Sequence, residues 1–424
     1  MLLYPAIISF KIYFDKNVRN GEFPKITLPW FKNTSHRYQK WAKKYMETGF
    51  ASSVDSEDVA GTEWPIFGSV FYLLTAEEIQ SHIKDKDSCQ IKEITLLIQK
   101  TADIAADVIT DPKTGNWVKE KWGSSYLTKK NLFYRMLLIM GLSSYEKVTG
   151  NKRYRKMLYD QTTSLGRELL NAPSHLLDDY PGECYPNDVV WAVASIIRAD
   201  KLLGTDHSAL KSKLIDVLKK YSLTNEGLPG FIVDEKTARP LGIARGCGNS
   251  GILMFVPELD MISADKWFKM HDKYFWQEDR FFAGYREASI KHNGLYEDVD
   301  SGPVLFGYGT VASAFGVGAA RTMGRFDRSV PIMLEASVFS WPTPFGCLIP
   351  SLMGSKAADS SCLGEIAMLF CMTRPVMAEK KTSYKGNGPG SFWILSSFYL
   401  IGAIVLLSEE FRIWRKLIKK LNRS

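Results

Sequence analysis

Glu183-Cys184-Tyr185-Pro186-Asn187-Asp188 sets a thiol and a carboxylate just before an apolar run, Val189 to Leu203, that Gly204 closes. At a helix mouth the free amides of the first turn favour an anion. Asn187 or Asp188 then reads as a cap, and Cys184 as a thiol whose pKa is lowered. The plainer alternative is an N-cap beside a small buried hydrophobe. Three more segments join a carboxylate to an aromatic ring, a cation or a second carboxylate: Gly61-Thr62-Glu63-Trp64-Pro65, Tyr285-Arg286-Glu287 and Glu297-Asp298-Val299-Asp300-Ser301-Gly302. All are expected in loops at or just before helix starts. A dipole or capping role, about 0.3–1 kcal/mol, accounts for each one alone. Carboxylates gathered in one cavity would instead serve acid–base chemistry.

The elements that must position these residues read as helices. Ile94, Leu97, Ile98, Thr101, Ala105 and Val108 fall on one face at spacings of three and four. Similar runs cover 36–49, 65–82, 126–149, 153–170, 188–203, 208–221, 242–256, 264–276, 302–322, 329–339 and 358–373, and strand alternation is scarce. With 93–109 this makes about twelve helices, in pairs joined by short Gly-, Pro- and Asp-bearing loops. The expected fold is all-α, two concentric rings of helices forming an (α/α)6 toroid, because inner helices can be apolar all round while outer ones stay amphipathic. An open solenoid would show a fixed period, and none is visible. The charge-free run Ser301 to Ala320 suits an inner helix, and its small residues allow close packing. Its glycines do not make a dinucleotide fingerprint, since no strand precedes them in a βαβ unit.

Composition narrows the classes. The 424 residues are 45% apolar, which gives a sizeable folded core. The net charge of +8 is concentrated in a tail, Arg412, Arg415, Lys416, Lys419, Lys420 and Arg423, so a nucleic-acid partner is not expected. The cysteines and histidines lack zinc-ligand spacings, and no metal is expected. Residues 391–408 read SFWILSSFYLIGAIVLLS, free of charge and long enough for one transmembrane helix. The basic residues that follow assign the tail to the cytoplasm and the body to the outside. Met1 to Phe14 is apolar but too short to span, as a signal remnant or a partial first membrane helix would be. The expected organisation is an apolar segment and lead-in at 1–30, a barrel at 31–378, a linker at 379–390, the membrane helix at 391–408 and a basic tail at 409–424.

Several pieces of this chain, in order and spacing, resemble the linalool dehydratase-isomerase family. They are Lys130-Asn131-Leu132-Phe133-Tyr134, Val148-Thr149-Gly150-Asn151-Lys152-Arg153-Tyr154, Cys184-x-Pro186 and Asp200-Lys201-Leu202-Leu203-Gly204-Thr205-Asp206. Asp298-x-Asp300-x-Gly302, Ala312-Ser313-Ala314-Phe315 and Arg321-Thr322-Met323-Gly324 extend the likeness, which covers roughly 90–375. The resemblance implies an (α/α)6 barrel, no cofactor, a site shared with a neighbouring subunit of a homo-oligomer, and reversible dehydration and isomerisation of a monoterpene alcohol. The family's first site cysteine falls on Cys184. Its second falls on Val193 and its site histidine on Leu137, so the likeness speaks for fold more than for linalool chemistry.

Three functions follow. The first is a lyase or isomerase on a hydroxylated, isoprenoid-like substrate, with Cys184 or Asp188 deprotonating carbon and Glu63 or Asp298 protonating the leaving hydroxyl. The second is a glycan-active hydrolase or lyase using a carboxylate pair from Glu63, Asp188, Asp298 and Asp300. Trp64, Tyr134, Tyr185, Trp191 and Tyr296 are its stacking candidates, with Asn187, Arg286 and Glu287 as polar binding groups. The third is a non-catalytic binding scaffold.

Overall fold

The computed structural model describes residues 2–83, 89–292, 294, 296–349 and 362–421. Helix dominates: α1 Leu3–Tyr13, α2 Lys16–Asn20, α3 Thr27–Thr48, α4 Val59–Ile83, α5 Cys89–Thr110, α6 Asn116–Trp122, α7 Leu132–Thr149 and α8 Arg155–Asn171 make up the first part. They are followed by α9 Pro186–Leu203, α10 Ala209–Tyr221, α11 Gly246–Leu259, α12 Met261–Phe275, α13 Thr310–Thr322, α14 Phe326–Phe339, α15 Leu363–Thr373 and α16 Gly390–Leu421. Three short antiparallel hairpins interrupt them: β1 Trp276–Glu278 with β2 Ala283–Tyr285, β3 Val304–Leu305 with β4 Tyr308–Gly309, and β5 Trp341–Thr343 with β6 Gly346–Leu348.

Burial sorts the helices into two kinds. Almost every residue of α7, α9 and α11 is buried, whereas α8, α10 and α12 bury one stripe and leave the rest to solvent. The buried kind are neighbours in sequence order: α4 packs on α7, α7 on α9, α9 on α11, α11 on α13, α13 on α15, and α15 on α4. They also point the same way. Their N-terminal halves meet through Phe67 of α4 and Phe133 of α7, and through Asn187 of α9 and Gly251 of α11.

Their last turns meet in a buried charge network. Arg198 at the end of α9 grips Glu258 of α11 through Nε at 2.7 Å and Nη2 at 2.6 Å, and Arg374, just after α15, reaches the same carboxylate at 2.9 Å. At the end of α4, Glu77 accepts hydrogen bonds from Ser144 at 2.6 Å and Lys147 at 2.8 Å, both on α7. Burial alone would raise the Glu258 pKa, but the two guanidinium groups hold it down to about 2.

The expected helical runs and the observed ones differ at identifiable places. Of 302–322, only Thr310–Thr322 is helical. Phe306 (φ 53°) and Gly307 (φ 89°) form the left-handed pair of a two-residue turn, so the first half is the β3–β4 hairpin. The run 126–149 becomes helical only at Leu132, because Lys130 and Asn131 have positive φ and the Asn131 side chain accepts from the Tyr134 amide at 3.4 Å. The run 65–82 begins earlier, at Val59, with Asp58 Oδ1 accepting from the Gly61 amide at 3.1 Å. Glu63 is therefore on a helix and not in a loop. Likewise Tyr285-Arg286-Glu287 closes β2 and stands at no helix start. Residues 358–361 of the last run lie outside the described residues.

Among the described residues one helix, Gly390–Lys419, is long and apolar enough to cross a membrane. Phe392, Ser396, Tyr399 and Ala403 bury one stripe of it. The N-terminal apolar segment forms α1, which lies against α16 with Tyr13 stacked on Phe392 at 5.4 Å.

Glu258→Gln should leave Arg198 and Arg374 with only the more distant Glu77 and Glu78 as counter-charges and cost about 3 to 5 kcal/mol at pH 7. Because the folded-state pKa is depressed, that contribution is present above about pH 4.5 and is lost as pH falls through about 2. Urea unfolding of parent and variant across this range should show the gap closing at low pH.

Candidate functional site

Glu63 stands in the second turn of α4, where the Tyr180 hydroxyl donates to its Oε1. Tyr180 comes from the loop before α9 and is wedged between the rings of Trp117 and Phe133, 6.1 and 5.9 Å away. Burial first, then the adjacent Glu63, pushes the phenol far up, so Tyr180 stays a neutral donor. The Glu63 carboxyl is itself raised to about 8, mainly by burial, with the Tyr180 bond opposing and the charges of Asp300 and Asp188 reinforcing the rise. It is therefore largely protonated at neutral pH.

Asp188, in the first turn of α9, is raised to about 7 by burial and by Asp300, although Asn187 Nδ2 donates to it at 2.8 Å. Asp179 lies beside it, fully buried. Its Oδ2 accepts from the Tyr185 amide at 2.9 Å, and burial followed by the Asp188 charge drives its pKa well above normal. Asp179 Oδ1 and Asn187 Oδ1 are buried acceptors without a donor among the described residues. Asn187 fits only because α11 carries a glycine there: a Cβ on Gly251 would meet Asn187 Oδ1 at 2.2 Å. Asp300 is an exposed residue whose pKa is nonetheless raised, by desolvation and then by Asp298. Glu63, Asp188 and Asp300 thus come together from three segments, with Asp179 as a fourth carboxyl. Each negative charge among them disfavours the next.

The thiol behaves differently from expectation. Cys184 is wholly buried, its carbonyl accepts from the Val233 amide at 2.9 Å, and its pKa is raised well above normal by burial and then by Asp179. The helix amides do not overcome that many neighbouring carboxyls, so the thiol forms part of the wall and is no thiolate. Val193 and Leu137, where the resembling family has its other site groups, are also fully buried in the core.

Asp298 belongs to a separate, structural cluster. Arg245 binds it through Nη1 at 2.6 Å and Nη2 at 2.8 Å, and binds Glu287 through Nε at 2.7 Å. Partial burial would raise Asp298, but Arg245 and the Ser301 amide lower it, so it is a poor proton donor. Glu287 is wholly buried and also accepts from the Cys247 thiol at 3.0 Å and the Cys247 amide at 3.1 Å. Arg286 is held by Gln277 and by the Ala288 carbonyl at 3.1 Å. These residues anchor the loop that carries Asp300, and none of them leads directly to the carboxyl group.

The aromatic candidates divide. Tyr134 is buried with its hydroxyl on the Ile109 carbonyl at 3.2 Å, and Trp191 is buried with Nε1 on the Gly251 carbonyl at 2.9 Å. Both are core, because their polar ends are satisfied by backbone. Trp64 is half-buried beside Glu63. Tyr185 is half-buried, donates to Glu183 at 2.8 Å and packs edge-on against Phe231, while Tyr296 is exposed at the rim. Phe67 of α4 and Phe315 of α13, both half-buried, add apolar surface below the carboxyl groups.

Asp179, Tyr180 and Arg245 were absent from the sequence candidates. Asp178-Asp179-Tyr180, five residues before the Cys184 segment, was the available signal, but nothing in its spacing says that Tyr180 reaches α4. No protein-family model and no curated protein matches this chain.

The raised carboxyl pKa values set a stability profile. The folded state keeps protons that the unfolded chain releases, so stability falls as pH rises from about 4.5 toward 8. Glu63→Gln keeps an acceptor for Tyr180 and removes the ionisation. Its urea midpoint should exceed the parent's at pH 8, by the equivalent of about 2 kcal/mol, and match it near pH 4. Equal midpoints at both pH values would show that Glu63 is not raised.

Proposed function

We propose that this chain is a membrane-anchored acid–base lyase or isomerase on an (α/α)6 toroid, acting on a hydroxylated, largely hydrocarbon substrate. The toroid is supported by the closed order of neighbours from α4 through α15 back to α4, and by their common direction. The likeness to the linalool dehydratase-isomerase family points the same way. The anchor is α16, with the body outside the cytoplasm by the positive-inside rule.

The observation that carries the activity is the meeting of Glu63, raised to about 8, with Asp188, raised to about 7. In this reading Glu63 protonates the departing hydroxyl and Asp188, sharing protons with Asp179, takes a proton from the adjacent carbon. One C–O bond breaks, a C=C bond forms, and water leaves; addition of water in reverse permits isomerisation. Tyr180 orients Glu63. Asp179 Oδ1 offers an acceptor to the substrate hydroxyl, and Phe67 and Phe315 offer apolar surface to its chain. Cys184 has no proton-transfer role in it.

A second reading, a glycan-active enzyme using the same carboxyl groups, is favoured by the half-buried Trp64 and Tyr185 and the exposed Tyr296 around them. Turnover assays of the full chain against terpenol and glycan panels separate the two. Glu63→Gln and Asp188→Asn should each lower turnover by about 10²- to 10⁴-fold. Cys184→Ala should leave it within a small factor. The rate should be bell-shaped in pH with limbs near 7 and 8 that belong to the coupled carboxyl set. Turnover unaffected by both carboxyl substitutions would overturn the acid–base reading.

A further inference from the structure

We infer that one sector of the rim around the candidate site is itself seated in the bilayer, so that the site draws an amphiphile from the lipid. Helix α16 does not simply trail from the body. The Ser391 hydroxyl donates to Glu335 at 2.7 Å, one turn from the end of α14, and the Tyr399 hydroxyl donates to the Val338 carbonyl at 2.9 Å, at that end. From Ile404 to Lys419 every residue of α16 is exposed. Helices α13 and α14 pack together across a three-residue connection, so they are antiparallel, and the end of α14 lies beside the start of α13. Helix α16 therefore leaves the body at the carboxyl-bearing end.

The surface beside that exit is apolar in a way the fold does not need. Phe306, at the tip of the β3–β4 hairpin, is 82% exposed, and Phe345, at the tip of β5–β6, is 64% exposed. Leu305, Phe339 and Trp341 extend the patch. It is continuous with the apolar helix: the Ser391 amide donates to the Phe281 carbonyl at 2.9 Å, the Phe282 ring lies 6.3 Å from both Phe306 and Phe339, and Trp341 packs on Tyr399 at 5.7 Å. Helix α1 runs antiparallel beside α16, from Leu2 near Gly402 to Tyr13 on Phe392, with Tyr4 and Ile7 turned outward. If the 391–408 stretch of α16 lies in hydrocarbon, groups packed at the level of Tyr399 share that depth.

The same sector holds the site loop. The Val304 amide donates to Glu297 at 3.1 Å, and the Val311 amide donates to the Ser301 carbonyl at 3.1 Å, tying the hairpin to the segment that carries Asp300. A substrate with a hydrocarbon tail and a hydroxyl head would reach the carboxyl cluster across this rim without passing through water. That substrate class rests on the acid–base reading above; the seating does not.

The test uses the full chain in vesicles of phosphatidylcholine and phosphatidylglycerol. Spin labels are placed through Phe306→Cys and Phe345→Cys, with Phe398→Cys on α16 and Lys156→Cys at the opposite end as references, and the labelled parent as background. Labels at 306 and 345 should collide with oxygen several-fold more than with a water-soluble nickel chelate, as at 398 and opposite to 156. Water-like behaviour at 306 and 345, or at 398, overturns the seating. In the same vesicles, membrane-soluble dicyclohexylcarbodiimide should modify Glu63 faster than a water-soluble carbodiimide does, with Glu63→Gln as the blank; the reverse order overturns the lipid route. Neither readout needs turnover, so failure here is distinguishable from failure of the acid–base reading.

Discussion

Glu63, Asp188 and the loop of Asp300 stand where α4, α9 and α13 begin, while Arg198, Arg321 and Arg374 stand where α9, α13 and α15 end. Helices that point the same way stack their partial positive charge at one end and their partial negative charge at the other. Anionic groups are favoured at the first end and cations at the second, and each end brings together residues far apart in the chain. At the cationic end the half-buried Glu258 is shared between Arg198 and Arg374, so the positive charge there is paired. At the other end, among the described residues, burial outweighs the nearby Lys121 at Glu63, and Arg245 is engaged with Asp298 and Glu287.

That imbalance raises the carboxyl pKa values of the cluster. Burial and mutual repulsion push Glu63 and Asp188 into the neutral range, where small changes in environment move protons. Burial first, and then the same repulsion, keeps the Cys184 thiol protonated. A cysteine at a helix mouth is activated only when the dipole is the strongest nearby field, and here Asp179 and its neighbours outweigh it.

Much of the helical pattern was legible in the chain, because burying an apolar stripe requires residues every three or four positions wherever the helix packs. Two of the misread boundaries share one cause. In 302–309 and 126–131, composition fits a helix, but residues with positive φ such as Phe306, Lys130 and Asn131 break it. Tyr134 and Trp191 were read as binding residues from type alone, and whether a ring meets substrate or core depends on what its polar end finds, here the Ile109 and Gly251 carbonyls.

By itself the sequence determined that the chain is helical, that 391–408 is apolar enough for a bilayer, and that carboxylates precede several apolar runs. These are properties of local composition and period. Only the tertiary structure decided that Glu63 meets Tyr180, that Asp298 rather than Asp300 pairs with Arg245, and that Tyr399 of α16 packs on the end of α14. Such facts depend on contacts between residues up to more than a hundred positions apart, and no local pattern encodes which distant side chain will share a desolvated space with another.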